Sequence, residues 1–193
     1  LDIKQLANNA KSLDIDDAVN LAEDLEEENQ NIFLENLDKE DRTLVEEGLN
    51  YPEDSAGRLM QRQFVSIDLS WNVGQAIDYL RNNNGNLPED FYDIYLINQN
   101  KEAKGVVPLG RLMGSKREVE LNSITNKELR LIDVNTDQED VALLFNKYGL
   151  VSAPVINNQK QIIGSITVDD VVEVIEEERE EDILKLGGVD HTD

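Results

Sequence analysis

The chain has 193 residues, of which 41 are acidic and 18 basic, so its formal net charge is −23. A surface with this charge repels nucleic-acid phosphates and anionic lipids, and cations or basic partners are the expected ligands. There is no cysteine, which excludes disulfides and thiolate zinc sites, and the only histidine, His191, lies beside the C-terminus, where nothing holds it in a catalytic geometry.

The sequence also lacks the usual marks of a membrane segment or an enzyme. No apolar run approaches the roughly 20 residues that a helix needs to cross a bilayer. We find no nucleophile paired with a base and no glycine-rich loop for phosphate. The sequence as written therefore predicts a soluble, non-enzymatic chain, which begins at Leu1 without a methionine and is expected to be part of a longer protein.

Residues 1–60 predict an all-helical unit. Apolar residues recur at a spacing of three or four, as in Leu6, Ala10 and Leu13, which is typical of amphipathic helices. Asp38 precedes one such pattern at the position of a helix N-cap.

The pattern then changes to alternating strands and helices. Residues 64–68 alternate like a half-buried strand, and Ser70 is expected to cap the helix that follows. A hairpin is predicted within residues 94–107. The same order of strand, helix, hairpin and helix returns after residue 131, which predicts an internal repeat of roughly 60 residues.

Two correspondences define this repeat. Tyr95-Leu-Ile-Asn matches Pro154-Val-Ile-Asn, and Gly105 matches Gly164 at the start of the next strand. Two half-units bury their sheet faces against each other more easily than either does alone, so we expect one pseudo-symmetric α/β domain.

An acidic run occupies residues 170–182, with Arg179 as its single base. Like charges one helical turn apart cost about 0.2 to 0.5 kcal/mol per pair, and a bound dication reverses that sign. Mg2+ takes one or two carboxylates and keeps several waters, so weak, multiple sites are expected. The alternative is a solvated helix face or a disordered acidic tail.

Several segments resemble known motifs. Gly164-Ser-Ile-Thr-Val-Asp-Asp resembles the hairpin end of a CBS domain, and the tandem repeat resembles a CBS pair. The segment 51–60, Tyr-Pro-Glu-Asp-Ser-Ala-Gly-Arg-Leu-Met, looks like the joining sequence of MgtE magnesium channels. Together with residues 136–141 and 167–187, the resemblance to the cytosolic region of that family covers most of the chain.

The resemblance implies a multidomain fold at the cytoplasmic face of the cell membrane. It comprises an all-α helical-repeat N domain (1–60), an α/β tandem CBS pair (61–121 and 122–169) and an acidic connecting helix (170–188). It further implies a homodimer through the CBS domains and a connecting helix that continues into a transmembrane pore. Mg2+ bridging these parts would favour a closed channel.

The resemblance also implies a metal-facing acidic surface, which consists of Asp137, Glu139, Asp170, Glu173, Glu178, Glu181 and Asp182. Gly149 stands where the family commonly offers an acid, so one bridging site is expected to be weakened. Thr136-Asp-Gln-Glu is also a capping box, which makes Glu139 equally a cap and a ligand candidate.

The N domain and the joining segment supply further candidates. Asp14 and Asp17 lie about one turn apart, where they could face the CBS pair or simply favour the helix dipole. The main-chain carbonyls of Gly57 and Arg58 are further candidate oxygen donors.

Two other functions remain open. CBS pairs often bind adenine nucleotides through a Ser/Thr-x-x-Asp end, which the second repeat keeps as Thr167 and Asp170. The first repeat has Pro108 and Arg111 there, so one nucleotide site is expected to be damaged. A metal-independent protein-interaction module is the third possibility, and it would weaken smoothly with monovalent salt.

Overall fold

The computed structural model describes residues 6, 15–88 and 90–187, and within them all side chains except those at 16, 84, 177, 178 and 180–187. Its buried apolar residues form three clusters, one in the N-terminal helices and one in each α/β repeat.

Three N-terminal helices pack around the first cluster. They are α1 (Ile15–Glu23), α2 (Glu27–Asn36) and α3 (Lys39–Leu49). Phe33 and Val45 are fully buried, and Gly48 lets α3 approach Val19 of α1, where an added Cβ would lie 2.4 Å from a Val19 methyl. Asp38 caps α3 by accepting from the amides of residues 40 and 41, as predicted.

Residues 50–63, the connector, include the short helix α4 (Ala56–Leu59) and attach to the second repeat. The amide of Ala56 donates to the carbonyl of Thr136 at 2.7 Å, and that of Gly57 donates to Val134 at 2.8 Å. Gln61 and Ser165 exchange two main-chain hydrogen bonds. The N-terminal helices are therefore tethered to the second repeat before the chain enters the first.

Each repeat contains a three-stranded sheet. The strands are β1 (Ser66–Asp68), β2 (Asp93–Ile97), β3 (Ala103–Pro108), β4 (Ile132–Asp133), β5 (Ser152–Ile156) and β6 (Ile162–Thr167). In both sheets the first strand pairs parallel with the second, and the second pairs antiparallel with the third. Leu96 pairs with Gly105 as Val155 pairs with Gly164, which confirms the predicted repeat.

The helices of the repeats complete the two α/β layers. They are α5 (Val73–Asn82), α6 (Leu109–Gly114), α7 (Leu121–Ile124), α8 (Gln138–Tyr148) and α9 (Val168–Gly187), and residues 84–86 form one 3-10 turn. α9 packs beside α8.

Two predicted caps were wrong by one or two residues. Ser70 donates its hydroxyl to Asp68 in the turn after β1, and the cap of α5 is Asn72, which forms a capping box with Gln75. At α8 the cap is Asp137 rather than Thr136, because the Asp137 carboxylate accepts from the second amide of the helix. In both cases a neighbouring polar side chain satisfies the helix amides instead.

Within the described ranges, no helix combines the length and apolar character required to cross a bilayer.

Candidate functional site

An open cleft of about 480 Å³ lies where the N-terminal helices, the connector, α8 and α9 meet. We call it the acidic cleft, because five carboxylates and one arginine line it. Its lining residues are Asn20, Glu23, Asp24, Glu53, Asp54, Arg58, Leu59, Gln138, Glu173 and Val174.

Main-chain hydrogen bonds position the connector side of this cleft. The amide of Gln138 donates to the carbonyl of Asp54 at 2.7 Å, and Ser55 pairs with Asp137 in an isolated bridge. Asp54 has a φ of 55°, a left-handed conformation that turns the chain sharply here. The connector carboxylates therefore lie against the N-terminus of α8.

The other walls come from helix ends. Glu23 is the last residue of α1 and Asp24 follows it, and no basic residue lies in that last turn. Acidic side chains at a helix C-terminus face the negative end of the dipole, which is unfavourable unless a cation is near. Glu173 projects from the second turn of α9 and is exposed.

The donor set of the cleft fits a hydrated hard cation. Its charged donors are carboxylates, the ligands that Mg2+ prefers in proteins. Among the residues that the structure describes, no three acidic side chains converge closely enough to hold an ion by direct ligation. A cation that keeps most of its waters and bridges the walls through them is the species that this spacing suits.

Two of the candidate residues from the sequence line this cleft. Glu173 and Arg58 line it, whereas Gly57 is buried against the second repeat, where its amide donates to Val134. Asp17 is exposed on α1 and does not line the cleft.

Asp137 and Glu139 lie at the N-terminus of α8, on either side of the cleft residue Gln138. The Asp137 carboxylate accepts from the amide of Glu139 at 2.9 Å, so one of its oxygens acts as the helix cap. Both residues are exposed. Both are sequence neighbours of Gln138, but neither lines the acidic cleft.

Asp170 has a different environment from the other acidic candidates. Its carboxylate accepts from the amide of Thr167 at 2.7 Å and the hydroxyl of Thr167 at 3.0 Å, and from the side chain of Gln61. Burial raises the pKa of Asp170 above its ordinary value, although these hydrogen bonds oppose the shift. The neighbouring cavity, which Thr167 and Gln61 line, holds about 20 Å³, roughly one water molecule.

The remaining metal candidates are not placed. Asp14 and the side chains of Glu178, Glu181 and Asp182 lie outside the described residues.

Four carboxylates of the acidic cleft were not identified from the sequence: Glu23, Asp24, Glu53 and Asp54. The first two stand at the C-terminus of a helix, where acids are unfavourable, and that position was the available signal. The other two lie within segment 51–60, in which only the main-chain carbonyls of Gly57 and Arg58 were proposed as oxygen donors.

A second cleft, of about 260 Å³, lies between the two repeats. Asp93, Arg111, Asn126, Arg130 and Tyr148 are among its lining residues. The Arg130 guanidinium lies 4.0 Å from the centre of the Tyr148 ring, and Arg111 donates to the carbonyl of residue 124. We call this the inter-repeat cleft.

The strand registers show which residues of the two repeats occupy equivalent positions at the end of the hairpin. Asp93 pairs with Pro108 as Ser152 pairs with Thr167. Pro108 therefore occupies the position equivalent to Thr167, as the sequence comparison predicted, and it has no hydroxyl to offer.

A largely buried hydrogen-bond network connects the two repeats. Ser152 donates to Asp93 at 2.7 Å, and the Tyr95 hydroxyl lies 2.8 Å from the Ser152 Oγ and 2.7 Å from the Ser165 Oγ. Because the Ser152 hydroxyl donates its single hydrogen to Asp93, the Tyr95 hydroxyl donates to Ser152 and accepts from Ser165. Burial raises the pKa of Tyr95 to about 12.

Comparison with known proteins supports this architecture. A family model of the MgtE intracellular N domain matches residues 1–54, and a CBS domain model matches residues 121–177. The magnesium transporter MgtE of Thermus thermophilus is 35% identical over 149 residues, which cover 77% of this chain and 33% of that protein. The chain belongs to the MgtE family. The Bacillus subtilis MgtE is 31% identical and covers 72% of this chain.

The chain spans about a third of the length of these curated MgtE relatives. The soluble part of a magnesium transporter superposes with a TM-score of 0.85 at 29% identity, over 92% of this chain and 69% of that structure. The cytosolic domain of the Mg2+ channel MgtE in complex with ATP superposes with a TM-score of 0.80 at 26% identity, over 90% and 76%. These structures confirm the predicted fold of helical N-terminal region and CBS pair.

Proposed function

We propose that this chain is the cytosolic Mg2+-sensing region of a magnesium channel of the MgtE family. The acidic cleft carries the proposal, because its carboxylates come from the N-terminal helices, the connector and α9. Mg2+ that bridges these walls favours a compact arrangement, in which the channel is closed.

Electrostatics supports a switch of this kind. Two unit charges about 4 Å apart interact by about 1 kcal/mol in water and by about 4 kcal/mol at an effective dielectric constant of 20. The five carboxylates of the cleft exceed its one arginine by four charges, so they repel one another until cations enter. A two-state element needs a bias of only a few kcal/mol.

The proposed ion-binding surface extends beyond the cleft. Glu173 lies on its wall, and the acidic run of α9 continues through Glu178, Glu181 and Asp182. Asp137 and Glu139 border it at the start of α8, and the N-terminal candidates from the sequence are Asp14 and Asp17. Asp170 contributes least, since its carboxylate already accepts from Thr167 and Gln61.

We further propose that two copies associate through their CBS repeats at the cytoplasmic face of the membrane. Large apolar side chains are exposed on three helices of the repeats, namely Met113, Leu143 and Val172. Their burial in a homodimer would recover this apolar area. α9 would join the sensor to a transmembrane pore, consistent with the greater length of the MgtE relatives.

Small-angle scattering during a MgCl2 titration tests the sensor, with KCl adjusted to constant ionic strength. We expect the radius of gyration to fall at millimolar Mg2+. A variant with Asp24→Asn and Glu173→Gln, both on the cleft wall, should require more Mg2+ for the same change.

The matched control carries Glu35→Gln and Glu118→Gln, which remove the same charge from exposed positions away from the cleft. It should follow the wild type. An unchanged profile with Mg2+ in all proteins would refute the sensor. A response to monovalent salt alone would instead favour a metal-independent interaction module.

Adenine nucleotide binding is the second candidate, and the inter-repeat cleft favours it. This cleft offers two guanidinium groups for phosphate, Arg111 and Arg130, beside the aromatic ring of Tyr148. Calorimetric titration with ATP in EDTA should give binding that Arg111→Gln with Arg130→Gln abolishes. Arg42→Gln with Arg81→Gln is the control, and absence of heat in the wild type would eliminate this candidate.

A further inference from the structure

Arg58 of the connector is a nearly buried cation at the wall of the acidic cleft. Its guanidinium contacts the Glu23 carboxylate of α1 at 2.5 Å, and only 11% of the Arg58 side chain is exposed. The same group donates to the carbonyls of Tyr51 at 3.0 Å and Leu49 at 3.2 Å. One side chain therefore joins α1, the end of α3 and the connector.

These contacts fix the orientation of the guanidinium through groups of the protein itself. The carbonyl of Leu49 lies at the C-terminus of α3, where the helix dipole favours a positive charge. Tyr51 packs against the connector at Gly57, where an added Cβ would lie 2.6 Å from the ring. The planar fork of arginine satisfies several acceptors at once, which an ammonium group does less well.

Arg62 forms a second, weaker link between the connector and the N-terminal helices. Its guanidinium lies 5.3 Å from the centre of the Tyr51 ring and 3.9 Å from the carboxylate of Glu47 on α3. Only 10% of its side chain is exposed, and within the described part of the chain its Nη2 has no hydrogen-bond partner. It supplies positive charge to the same interface without a close ion pair.

We propose that Arg58, assisted by Arg62, is a built-in cationic latch that holds the N-terminal helices against the second repeat in the absence of metal. The connector is fastened to that repeat by main-chain hydrogen bonds, so a side chain of the connector that grips α1 and α3 docks the whole N-terminal unit. The latch supplies internally part of the positive charge that the acidic cleft requires.

The latch goes beyond the proposed sensor and acts without Mg2+. A fraction of chains stays docked when divalent ions are removed, and cations entering the cleft raise that fraction further. Only Arg58 of this ion pair is nearly buried, since 34% of the Glu23 side chain is exposed and solvent screens that contact. The strength of the latch therefore comes from the Glu23 carboxylate and the two carbonyls of Tyr51 and Leu49 together, because a nearly buried guanidinium that loses its acceptors cannot replace all of them with water.

Pulsed electron paramagnetic resonance tests the latch directly. The chain has no cysteine, so Glu35→Cys and Asn158→Cys place two labels at exposed positions on the N-terminal helices and the second repeat. Labelled protein is diluted with unlabelled chain and measured in EDTA and in MgCl2. The ratio of docked to undocked chains in EDTA should fall about tenfold in Arg58→Gln, because the charged donor of three hydrogen bonds is lost.

Two further variants make the result specific. Arg58→Lys keeps the charge but loses the fork, and an intermediate ratio is expected. Arg42→Gln removes an arginine that pairs with Glu46 on the exposed surface of α3, and it should match the wild type. Circular dichroism checks that each variant is folded.

Either of two results would overturn the latch: a wild type with no docked fraction in EDTA, or an Arg58→Gln variant that docks as the wild type does. The MgCl2 arm reports on the sensor separately, because a chain that fails to respond to Mg2+ would refute the sensor and leave the latch comparison in EDTA intact.

Discussion

The side-chain amide of Gln61 donates to both carboxylate oxygens of Asp170, at 3.1 and 3.4 Å. Asp170 also accepts from the amide and hydroxyl of Thr167, so this acid in the first turn of α9 is bound to the connector as well as to the end of β6. The connector and α9 are thereby linked through one carboxylate. The Asp170 carboxylate of the Ser/Thr-x-x-Asp motif therefore accepts its hydrogen bonds from groups of the protein itself.

Replacing Gln61 tests the strength of that link. In Gln61→Ala, the partly buried Asp170 carboxylate loses one donor, and we expect the free energy of unfolding to fall by about 1 to 2 kcal/mol. Urea denaturation measures this change. Gln63→Ala, at an exposed position two residues away, should differ from the wild type by less than about 0.5 kcal/mol, and equal effects at both sites would contradict the link.

The Tyr95 hydroxyl should contribute to stability because it connects the two repeats. Tyr95→Phe leaves the hydroxyls of Ser152 and Ser165 short of a partner, which is expected to cost about 1 to 3 kcal/mol. Thermal and urea unfolding measure this loss. Tyr92→Phe removes a hydroxyl from a ring that is 45% exposed and serves as the control.

The ionisation of Tyr95 provides a separate measurement. Burial raises the pKa of Tyr95 to about 12, so its phenol should ionise well above the ordinary value of 10 in an ultraviolet titration. The stability that the protonated phenol contributes is present below pH 10 and is lost as the pH rises toward 12. A wild-type titration identical to that of Tyr95→Phe would contradict the assignment.

The partly buried Asp93 carboxyl group should make the stability of the wild type relative to Asp93→Asn depend on pH in the acid range. Burial raises its pKa above the ordinary 3.8, and the hydrogen bond from Ser152 only partly opposes this. The folded chain therefore retains the proton at a pH at which the unfolded chain has lost it, and the associated stability disappears as the pH rises through the folded pKa. The stability of the wild type relative to Asp93→Asn should thus increase as the pH falls from about 7 to about 4.

Urea unfolding at several pH values gives this difference. Asp90→Asn, at an exposed position nearby, controls for the loss of one negative charge. A difference that decreases toward low pH would have the wrong sign for a buried carboxyl group.

Gly164 should be intolerant of a side chain because the connector crosses it. An added Cβ would lie 2.4 Å from the Met60 sulfur and 3.0 Å from the Gln61 carbonyl, so Gly164→Ala is expected to destabilise the fold by about 1 to 3 kcal/mol. In Gly110→Ala nothing lies within 4 Å of the new Cβ, and helix α6 should gain about 0.5 to 1 kcal/mol. Changes of the same sign in both variants would contradict this contact.

Gly149 illustrates how a local feature acquires a different explanation in the structure. From the sequence, this glycine was a departure from a family position that commonly carries an acid. In the structure it ends α8 with a φ of 59°, a left-handed conformation that costs other residues roughly 1 to 2 kcal/mol. The backbone therefore accounts for glycine here whether or not an ion site is weakened.

The sequence alone determined the order of the elements and the repeat. Alternation and helical spacing are local consequences of burying one face, so Gly105 and Gly164 could be aligned, and the equivalence of Pro108 to Thr167 follows from that alignment. Caps were less certain, because adjacent polar residues such as Ser70 and Asn72 compete for the same amides.

Only the tertiary structure decided which charges meet. Glu23, Asp54 and Glu173 are far apart in sequence, and they share a cleft because main-chain hydrogen bonds fasten the connector to the second repeat. The same docking places Arg58 beside the Glu23 carboxylate and places the Gln61 amide within hydrogen-bond distance of Asp170. Charge has no periodicity that could predict such pairings, since Coulomb interactions depend on distance in space rather than on position along the chain.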